Sequence, residues 1–182
     1  MNPMIARQAL YNFVLNNKKV YVYLTIKSLS LRYKKLQSKS WIFNMNTRNN
    51  IKINLFLSGI KGYEVLKFII NNHNYHLINF VLIGQDKNIE NDFSNEIEEL
   101  CINKKLKFKF RVSGKEMIPA ADFSIAVAWK WLIKQKDILI VLHDSLLPKY
   151  RGYLPLVSQL INGEKEIGVT SFFANDKYDE GD

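Results

Sequence analysis

Compact apolar runs separated by polar or helical stretches predict an α/β domain from residue 51 onward. Short apolar runs are typical of buried strands, and apolar residues repeating every three to four positions are typical of helices. The predicted strands span 51–57, 77–83, 106–112, 123–129, 138–142 and 167–173, and the predicted helical stretches surround 65–70, 94–104, 131–133 and 155–162. Strands that alternate with helices favour a mostly parallel, doubly wound sheet.

Finer expectations follow from the same pattern. The run 106–112 alternates apolar and basic residues and predicts a half-exposed edge strand, whereas 138–142 reads as the most buried strand. Pro155 and Gly163 bound the last helix in the usual order of proline at the start and glycine past the end. That helix is expected to bury four apolar residues, namely Leu156, Val157, Leu160 and Ile161. Cys101 lies on the apolar face of its helix, which predicts a core residue rather than a nucleophile.

The charge of the chain is concentrated in its first 50 residues. The net charge is +9, but residues 1–50 hold nine basic side chains and no acidic one, while residues 51–182 are balanced. The basic segment fits three interpretations: an arm for nucleic acid or an anionic membrane, an organelle targeting peptide, or a dispensable extension with Met45 as the true start. We favour the extension, so the domain prediction is a basic segment 1–50 followed by a catalytic domain 51–182.

Cysteine content and hydropathy narrow the setting of the protein. A single cysteine excludes an internal disulfide framework. The sequence contains no run of about 18 uncharged apolar residues, so no transmembrane helix is predicted. A reducing, cytoplasmic location is therefore expected. His73 and His76 lie in a polar connection with no third ligand at suitable spacing, so no metal site is predicted.

The strongest chemical signal lies where a predicted strand ends at His143. Ligands bind beyond the carboxyl ends of the strands in such sheets. A histidine there, with a carboxylate from the later acidic loop, would form an acid–base pair; the alternative is a histidine that is merely hydrogen-bonded in a loop. The turn at Ser58 and Gly59 offers backbone amides to an anion, although a tight packing turn explains it at least as well.

Four linked motifs carry a family resemblance. They are His143–Gly152 (HDSLLPKYRG), Ile161–Glu164 (INGE), Ile167–Thr170 (IGVT) and Asp179–Gly181 (DEG). Their order and spacing closely resemble the 10-formyltetrahydrofolate-dependent formyltransferases, which act on glycinamide ribonucleotide, methionyl-tRNA or amino-sugar nucleotides. The resemblance covers roughly residues 52–182.

The resemblance implies a Rossmann-like catalytic domain that uses 10-formyltetrahydrofolate as formyl donor and no metal. It assigns His143 and Asp179 to catalysis: the histidine stabilises the oxyanion, and the aspartate orients the histidine and helps the attacking amine lose its proton. It places Leu146, Leu147 and Pro148 beside the folate pteridine. Weaker substrate-binding assignments are made for two pairs of residues, Ser58 with Gly59 and Lys149 with Arg151. Lys149 and Arg151 either contact phosphates of the acceptor or simply keep the loop solvated.

Two departures from the family pattern affect the expected activity. Val141 stands where the family has an asparagine that donates to the oxyanion, and losing one such donor typically costs about 2.7–4 kcal/mol of barrier. Either Ser145 or a backbone amide compensates, or the activity is reduced. The sequence also ends at Asp182, directly after the DEG motif, which predicts a truncated family member.

The expected function is formyl transfer to a primary amine of a small acceptor, with an amino-sugar nucleotide favoured. The run Trp129–Ile133 (WKWLI) resembles a segment of short formyltransferases, and its two tryptophans either stack on a base or sugar or pack in the core. Two alternatives stay open: a catalytically impaired homologue, and a methionyl-tRNA formyltransferase. The last would make nucleic acid a partner, bound through the basic segment 1–50.

Overall fold

The computed structural model describes residues 51–133, 138–175 and 179–180 of the chain. The described residues contain six strands, three α-helices and one 3₁₀ turn. In chain order these are β1 Ile53–Ser58, α1 Gly59–Asn71, the 3₁₀ turn Tyr75–Leu77, β2 Ile78–Gly84, α2 Ser94–Asn103, β3 Phe108–Phe110, β4 Phe123–Val127, β5 Ile138–His143, α3 Pro155–Ile161 and β6 Thr170–Phe173. The predicted basic extension 1–50 lies outside the described residues.

The strands form one sheet in the order β3-β2-β1-β4-β5-β6. β1 pairs in parallel with both β2 and β4, β2 pairs in parallel with β3, and β4 pairs in parallel with β5. Among the described residues, the path therefore starts in the middle of the sheet at β1, runs outward to β3 and returns on the other side of β1. This reversal is the topological switch point at which doubly wound folds bind ligands, so the predicted fold class is confirmed.

The described residues divide into two compact units. The sheet unit comprises the described residues of 51–142 and 172–180, and the loop–helix unit comprises 143–171. In the sheet unit, apolar side chains alternate between the two faces of the strands. Leu55 and Leu57 pack with α1 and α2 on one face, whereas Phe56 packs with Phe80 and Leu82 on the other. Burial on both faces is the reason that parallel strands read as continuous apolar runs.

Several predicted elements are confirmed with small changes in their bounds. The edge position of the alternating strand is confirmed because β3 is the outermost strand of the order. Pro155 lies in the first turn of α3, and Gly163 follows its end with φ +65. Cys101 is fully buried in the core, as predicted.

Four expectations about local structure are wrong. Residues 131–133 form no helix. The strand at 138–142 is less buried than β1 or β2, with Ile138 itself exposed. Ile161 is 71 % exposed rather than buried. The predicted turn after Ser58 is instead the start of α1, which begins at Gly59 without an intervening loop.

Gly62 explains why that helix starts so close to the strand. A Cβ atom at Gly62 would lie 3.0 Å from the Cβ of Leu57. The missing side chain lets the first turn of α1 pack tightly against the end of β1. None of the helices among the described residues is long and apolar enough to cross a membrane.

Candidate active site

His143 ends β5 and is held by the loop that follows it. The side chain is 7 % exposed, and its Nε2 atom lies 2.8 Å from the carbonyl oxygen of Tyr150. A carbonyl oxygen only accepts hydrogen bonds, so Nε2 carries a proton and donates it to Tyr150. This contact assigns the proton of the neutral ring to Nε2.

Ser145 ties the same loop together from within. Its side chain is completely buried, and its hydroxyl donates to the carbonyl oxygen of Lys149 at 2.7 Å. Its backbone N–H donates to the carbonyl oxygen of His143 at 2.9 Å. A serine hydroxyl has a single proton to donate. Because that proton is used within the loop, Ser145 is not placed to replace the oxyanion donor that Val141 lacks.

The segment Leu146–Pro148 is anchored by Thr170. The Thr170 hydroxyl accepts the N–H of Leu147 at 3.0 Å and donates to the carbonyl oxygen of Ser145 at 2.7 Å. One hydroxyl thus satisfies a backbone donor 23 residues away and a backbone acceptor 25 residues away. The contact fixes the main chain of the predicted folate loop.

The side chains of this loop stay accessible. Leu146 is 46 % exposed, Pro148 is exposed and Leu147 is half-buried. Leu146 lies over Gly168, where an added Cβ would come within 2.4 Å of its Cδ2 atom. The result is an apolar surface on a backbone that is held by hydrogen bonds, which suits contact with a flat aromatic ring such as a pteridine.

Gln159 is a site residue that the sequence did not reveal. It is 2 % exposed, and its amide group donates to the carbonyl oxygens of Asp144 at 2.7 Å and Pro155 at 3.0 Å. Both amide hydrogens are therefore used, and the residue after His143 is tied to α3. A glutamine on a helix reads as solvent-exposed from the sequence, and only its spacing of three from Leu156 hinted at an inward position.

The remaining predicted residues lie at the surface or in the sheet unit. Lys149 and Arg151 are exposed, and the Lys149 ammonium is 3.8 Å from Glu164, a weak surface pair. Ser58 and Gly59 lie at the junction of β1 and α1, with Ser58 buried and Gly59 at φ +64 in open space. Asp179 is half-buried with φ 49. Most of the rest of its acidic loop, 176–178 and 181–182, lies outside the described residues.

The two tryptophans of the sheet unit pack on protein side chains. Trp129 contacts Phe56 edge-on at 5.3 Å between ring centroids and Trp131 at 4.9 Å. The guanidinium of Arg111 lies 4.6 Å above the Trp131 ring. Lys130 forms a 2.6 Å ion pair with Asp86, whose pKa this hydrogen bond lowers. The geometry supports the packing interpretation rather than stacking on a base.

Neither the histidines nor the cysteine outside the site indicate further chemistry. His73 and His76 are exposed, with Nδ1 of His76 2.9 Å from the His73 carbonyl oxygen. Within the ranges that the structure describes, no group of three or more His, Cys, Asp or Glu side chains could hold a metal ion. Burial and the nearby Glu98 raise the pKa of Cys101 to about 12, so its thiol stays protonated.

Sequence comparisons with known proteins find formyltransferases. The family described as formyl transferase matches residues 92–182. A methionyl-tRNA formyltransferase of Flavobacterium johnsoniae is 34 % identical over 111 residues, which is 59 % of this chain but 30 % of that protein. The chain therefore matches under a third of the length of this curated relative.

Solved structures of low identity share the fold. Phosphoribosylglycinamide formyltransferase from Bacillus halodurans has a TM-score of 0.55 at 14 % identity, covering 71 % of this chain and 75 % of that one. An N-formyltransferase from Helicobacter canadensis, solved with folinic acid and dTDP-3-aminofucose, has a TM-score of 0.55 at 20 % identity over 72 % of this chain and 49 % of that one. The family match spans half of the sequence and includes His143, Leu146–Pro148 and the DEG motif, so this chain belongs to the formyl transferase family.

Proposed function

We propose that this chain transfers a formyl group from 10-formyltetrahydrofolate to a primary amine of a small acceptor, with residues 51–182 as the catalytic domain. The observation that carries the proposal is the loop–helix unit itself. A buried histidine ends β5 and is hydrogen-bonded to the Tyr150 carbonyl oxygen, and an apolar loop held by Thr170 follows it directly. These are the two parts that a formyl transfer needs: a proton-handling group and a surface for the folate ring.

Bound 10-formyltetrahydrofolate would supply the formyl carbon. The amine would attack that carbon to form a tetrahedral oxyanion, the bond from the carbon to N10 would then break, and the proton lost by the amine would be returned to N10. Leu146, Leu147 and Pro148 offer the apolar surface for its ring. His143 keeps Nε2–H on Tyr150 in both of its protonation states, because both carry that proton. In the imidazolium form Nδ1–H stabilises the negative oxygen that develops on the formyl group. Asp179 joins the proposal as the proton acceptor for the amine because its Asp-Glu-Gly motif matches the family.

Folate binding is the first test, with folinic acid as the probe in isothermal titration calorimetry. We expect the wild-type protein to bind and Leu147→Asp to lose binding, because a carboxylate would be placed against the pteridine surface. Leu154→Asp is the matched control, since Leu154 is a 49 % exposed leucine of the same unit outside the loop, and it should bind like wild type. Absence of binding to a folded wild-type protein would contradict the proposal.

An amino-sugar nucleotide is the favoured acceptor. The support is the likeness to the Helicobacter canadensis N-formyltransferase, whose structure contains dTDP-3-aminofucose. Incubation with 10-formyltetrahydrofolate and, separately, dTDP-3-aminofucose, phosphoribosylglycinamide or methionyl-tRNA would identify the acceptor by mass spectrometry of the product. Formylation of the amino sugar alone is the expected result.

Methionyl-tRNA is the second candidate acceptor, and the sequence similarity to the Flavobacterium johnsoniae enzyme favours it. This candidate predicts salt-dependent binding of tRNA, because each phosphate contact releases counterions. A filter-binding titration at two salt concentrations separates it from the amino-sugar proposal. Formylation of methionyl-tRNA in the acceptor panel would replace the favoured acceptor.

Reduced catalysis is the remaining candidate, and Val141 is the observation that favours it. Val141 cannot donate a hydrogen bond, and the hydroxyl proton of Ser145 is used by the Lys149 carbonyl. Val141→Asn is expected to raise the rate of formyl transfer by about a hundredfold or more if the donor is missing. An unchanged rate would mean that another group already stabilises the oxyanion.

A further inference from the structure

Tyr150 has a backbone conformation that bulky residues rarely adopt. Its φ is +57, in the left-handed region. In this region the Cβ of an ordinary residue crowds the neighbouring carbonyl oxygen, so surrounding contacts must hold the conformation in place. Such contacts are made by both the backbone carbonyl oxygen and the side-chain hydroxyl of Tyr150.

The carbonyl oxygen of Tyr150 faces the candidate catalytic histidine. It accepts the Nε2–H of His143 at 2.8 Å and lies 3.4 Å from the Ser145 hydroxyl. The second distance is long, and the main acceptor for Ser145 is the Lys149 carbonyl oxygen at 2.7 Å. Two successive carbonyl groups, of Lys149 and Tyr150, therefore point inward at the two buried polar side chains.

The hydroxyl of Tyr150 is tied down at the other end of the side chain. It donates to the Oε1 atom of Glu164 at 2.7 Å and accepts from the Nδ2 group of Asn162 at 3.1 Å. Asn162 and Glu164 follow the end of α3, so they are carried by a different segment from the loop itself. A hydrogen bond to a charged carboxylate is stronger than one between neutral groups.

We propose that Tyr150 is a positioning residue: its hydroxyl, anchored to Glu164 and Asn162, holds the left-handed backbone whose carbonyl fixes the ring of His143 with the proton on Nε2. The inference rests on the proposed role of His143 in formyl transfer. Tyr150 and Glu164 act through His143 in this proposal, because their contacts lead to its ring through the Tyr150 backbone. They act by keeping the imidazole in one orientation, with its Nε2 proton on the Tyr150 carbonyl oxygen.

Tyr153 provides the matched comparison within the same loop. It lies three residues later, is 70 % exposed, and its hydroxyl makes no hydrogen bond to the described residues. Removing the hydroxyl from Tyr153 changes the same chemical group without touching the anchor. Tyr153→Phe therefore controls for the general effect of losing a tyrosine hydroxyl from the loop.

The first measurement is nuclear magnetic resonance of the His143 imidazole in the unliganded full chain. In wild type we expect a ¹⁵N-bound proton at Nε2 that exchanges slowly with water, because it is buried and hydrogen-bonded. Tyr150→Phe is expected to speed that exchange by about tenfold, in line with the loss of a hydrogen bond to a charged group. Tyr153→Phe is expected to leave the exchange unchanged.

Variants of Glu164 test the anchor from its other side. Glu164→Gln keeps an acceptor oxygen for the Tyr150 hydroxyl and should exchange nearly like wild type, whereas Glu164→Ala should resemble Tyr150→Phe. The double variant Tyr150→Phe/Glu164→Ala should be no worse than either single variant, because both remove the same contact. If Tyr150→Phe does not fold, the Glu164 pair still gives the answer.

Kinetics of formyl transfer supply the second readout. Tyr150→Phe should lower kcat by about tenfold with folinic acid affinity and acceptor KM within about twofold, since a misoriented imidazole affects the transition state rather than binding. His143 exchange that is equally slow in wild type, Tyr150→Phe and Glu164→Ala would overturn the proposal. Faster exchange in a protein that transfers no formyl group would keep the positioning role of Tyr150 and reject the proposed function.

Discussion

The sheet unit and the loop–helix unit are stabilised by different interactions. Most buried residues of the sheet unit are apolar, and its strands share regular parallel pairing. In the loop–helix unit, three of the four buried residues are polar, namely His143, Ser145 and Gln159, and each binds backbone carbonyl oxygens. The first unit gains stability from area removed from water, and the second gains a defined geometry from directional bonds.

The difference teaches where stability and chemistry are placed. Hydrophobic burial is not directional, so it stabilises a sheet but does not fix the orientation of an imidazole ring such as that of His143. Hydrogen bonds from side chains to the backbone do fix that orientation, but each contributes only about 0.5–1.5 kcal/mol to the free energy of unfolding. We therefore expect substitutions in the sheet unit to change the free energy of unfolding most, and substitutions in the loop–helix unit to change ligand binding most.

The largest effect is expected from Leu66→Ala in the sheet unit. Leu66 is fully buried between α1 and the sheet, and deleting such a side chain leaves a cavity that costs about 2–5 kcal/mol of unfolding free energy. Urea denaturation followed by circular dichroism measures the change. Leu132→Ala is the control, since Leu132 is 63 % exposed, and it should change stability by less than about 0.5 kcal/mol. Equal losses in the two variants would contradict the assigned core.

A pair of glycine substitutions compares the units directly. An alanine Cβ would lie 2.4 Å from the Trp131 ring at Gly84 and 2.4 Å from Leu146 Cδ2 at Gly168. Trp131 is packed by Trp129 and Arg111 and has little room to move, so Gly84→Ala should cost about 1–3 kcal/mol of unfolding free energy.

Gly168→Ala should affect ligand binding more than the free energy of unfolding. Leu146 ends in a flexible, 46 % exposed side chain that can rotate away at small cost. We expect a nearly unchanged free energy of unfolding but weaker binding of folinic acid, because the displaced leucine belongs to the proposed folate surface. Urea denaturation and calorimetry of both variants provide the comparison, and a larger stability loss for Gly168→Ala would reverse it.

Thr170→Val is expected to have a moderate effect confined to the loop. Valine keeps the shape but leaves the N–H of Leu147 and the carbonyl oxygen of Ser145 without the hydroxyl that both use. The affinity for folinic acid should fall by about tenfold or more, because both hydrogen bonds that hold the loop backbone are lost. Thr170→Ser retains the hydroxyl and should bind like wild type. If both variants bind equally well, the clamp does not hold the folate surface.

The smallest expected effect concerns Glu116, a polar exception in the sheet unit. Its Oε1 atom accepts three backbone N–H groups, from Val112 at 2.7 Å, Ser113 at 2.7 Å and Gly114 at 3.1 Å. Desolvation raises the pKa of Glu116, but the combined backbone hydrogen bonds outweigh it and lower the pKa from 4.5 to about 2. The carboxylate therefore contributes its full stabilisation above pH 4.5 and loses it as the pH falls through about 2.

An NMR titration tests this exception. The amide signals of Val112, Ser113 and Gly114 should shift together as the pH falls towards 2, well below the ordinary titration range of a glutamate. In Glu116→Gln the same signals should stay constant over that range, because the amide does not titrate. A midpoint near 4.5 in wild type would show that the three hydrogen bonds do not hold the carboxylate.

Much of the sheet unit could be predicted because its physics is local. The apolar runs of β1 and β2 and the inward face that carries Cys101 follow from burial and periodicity alone. The bounds of α3 were also predictable, since proline and glycine impose their own backbone preferences. The helix expected at 131–133 failed because the packing of Trp131 against Gly84 and Arg111 outweighs the local pattern.

Candidate residues for the site could be proposed from the sequence, but their contacts could not. Motif resemblance identified His143 and the Leu146–Pro148 loop, and their direct juxtaposition in sequence kept them together. The hydrogen-bonding chemistry of Ser145 made it, with a backbone amide, a candidate for the oxyanion donor that Val141 lacks, yet its proton is used by the Lys149 carbonyl oxygen. The hydrophobic pattern also predicted that Ile161 is buried and gave no sign that Gln159 is. Such a pattern counts only apolar residues, so it does not detect a polar side chain whose hydrogen bonds to carbonyl oxygens allow it to be buried.

The sequence by itself determined the order of strands and helices, the apolar core of the sheet unit and the family to which the motifs belong. These features depend on neighbouring residues, whose spacing is written directly in the chain. The tertiary structure alone decided that Thr170 clamps a loop more than 20 residues away and that Tyr150 turns its carbonyl towards His143. Such contacts depend on backbone direction at each residue, and that direction is set only when distant segments pack together.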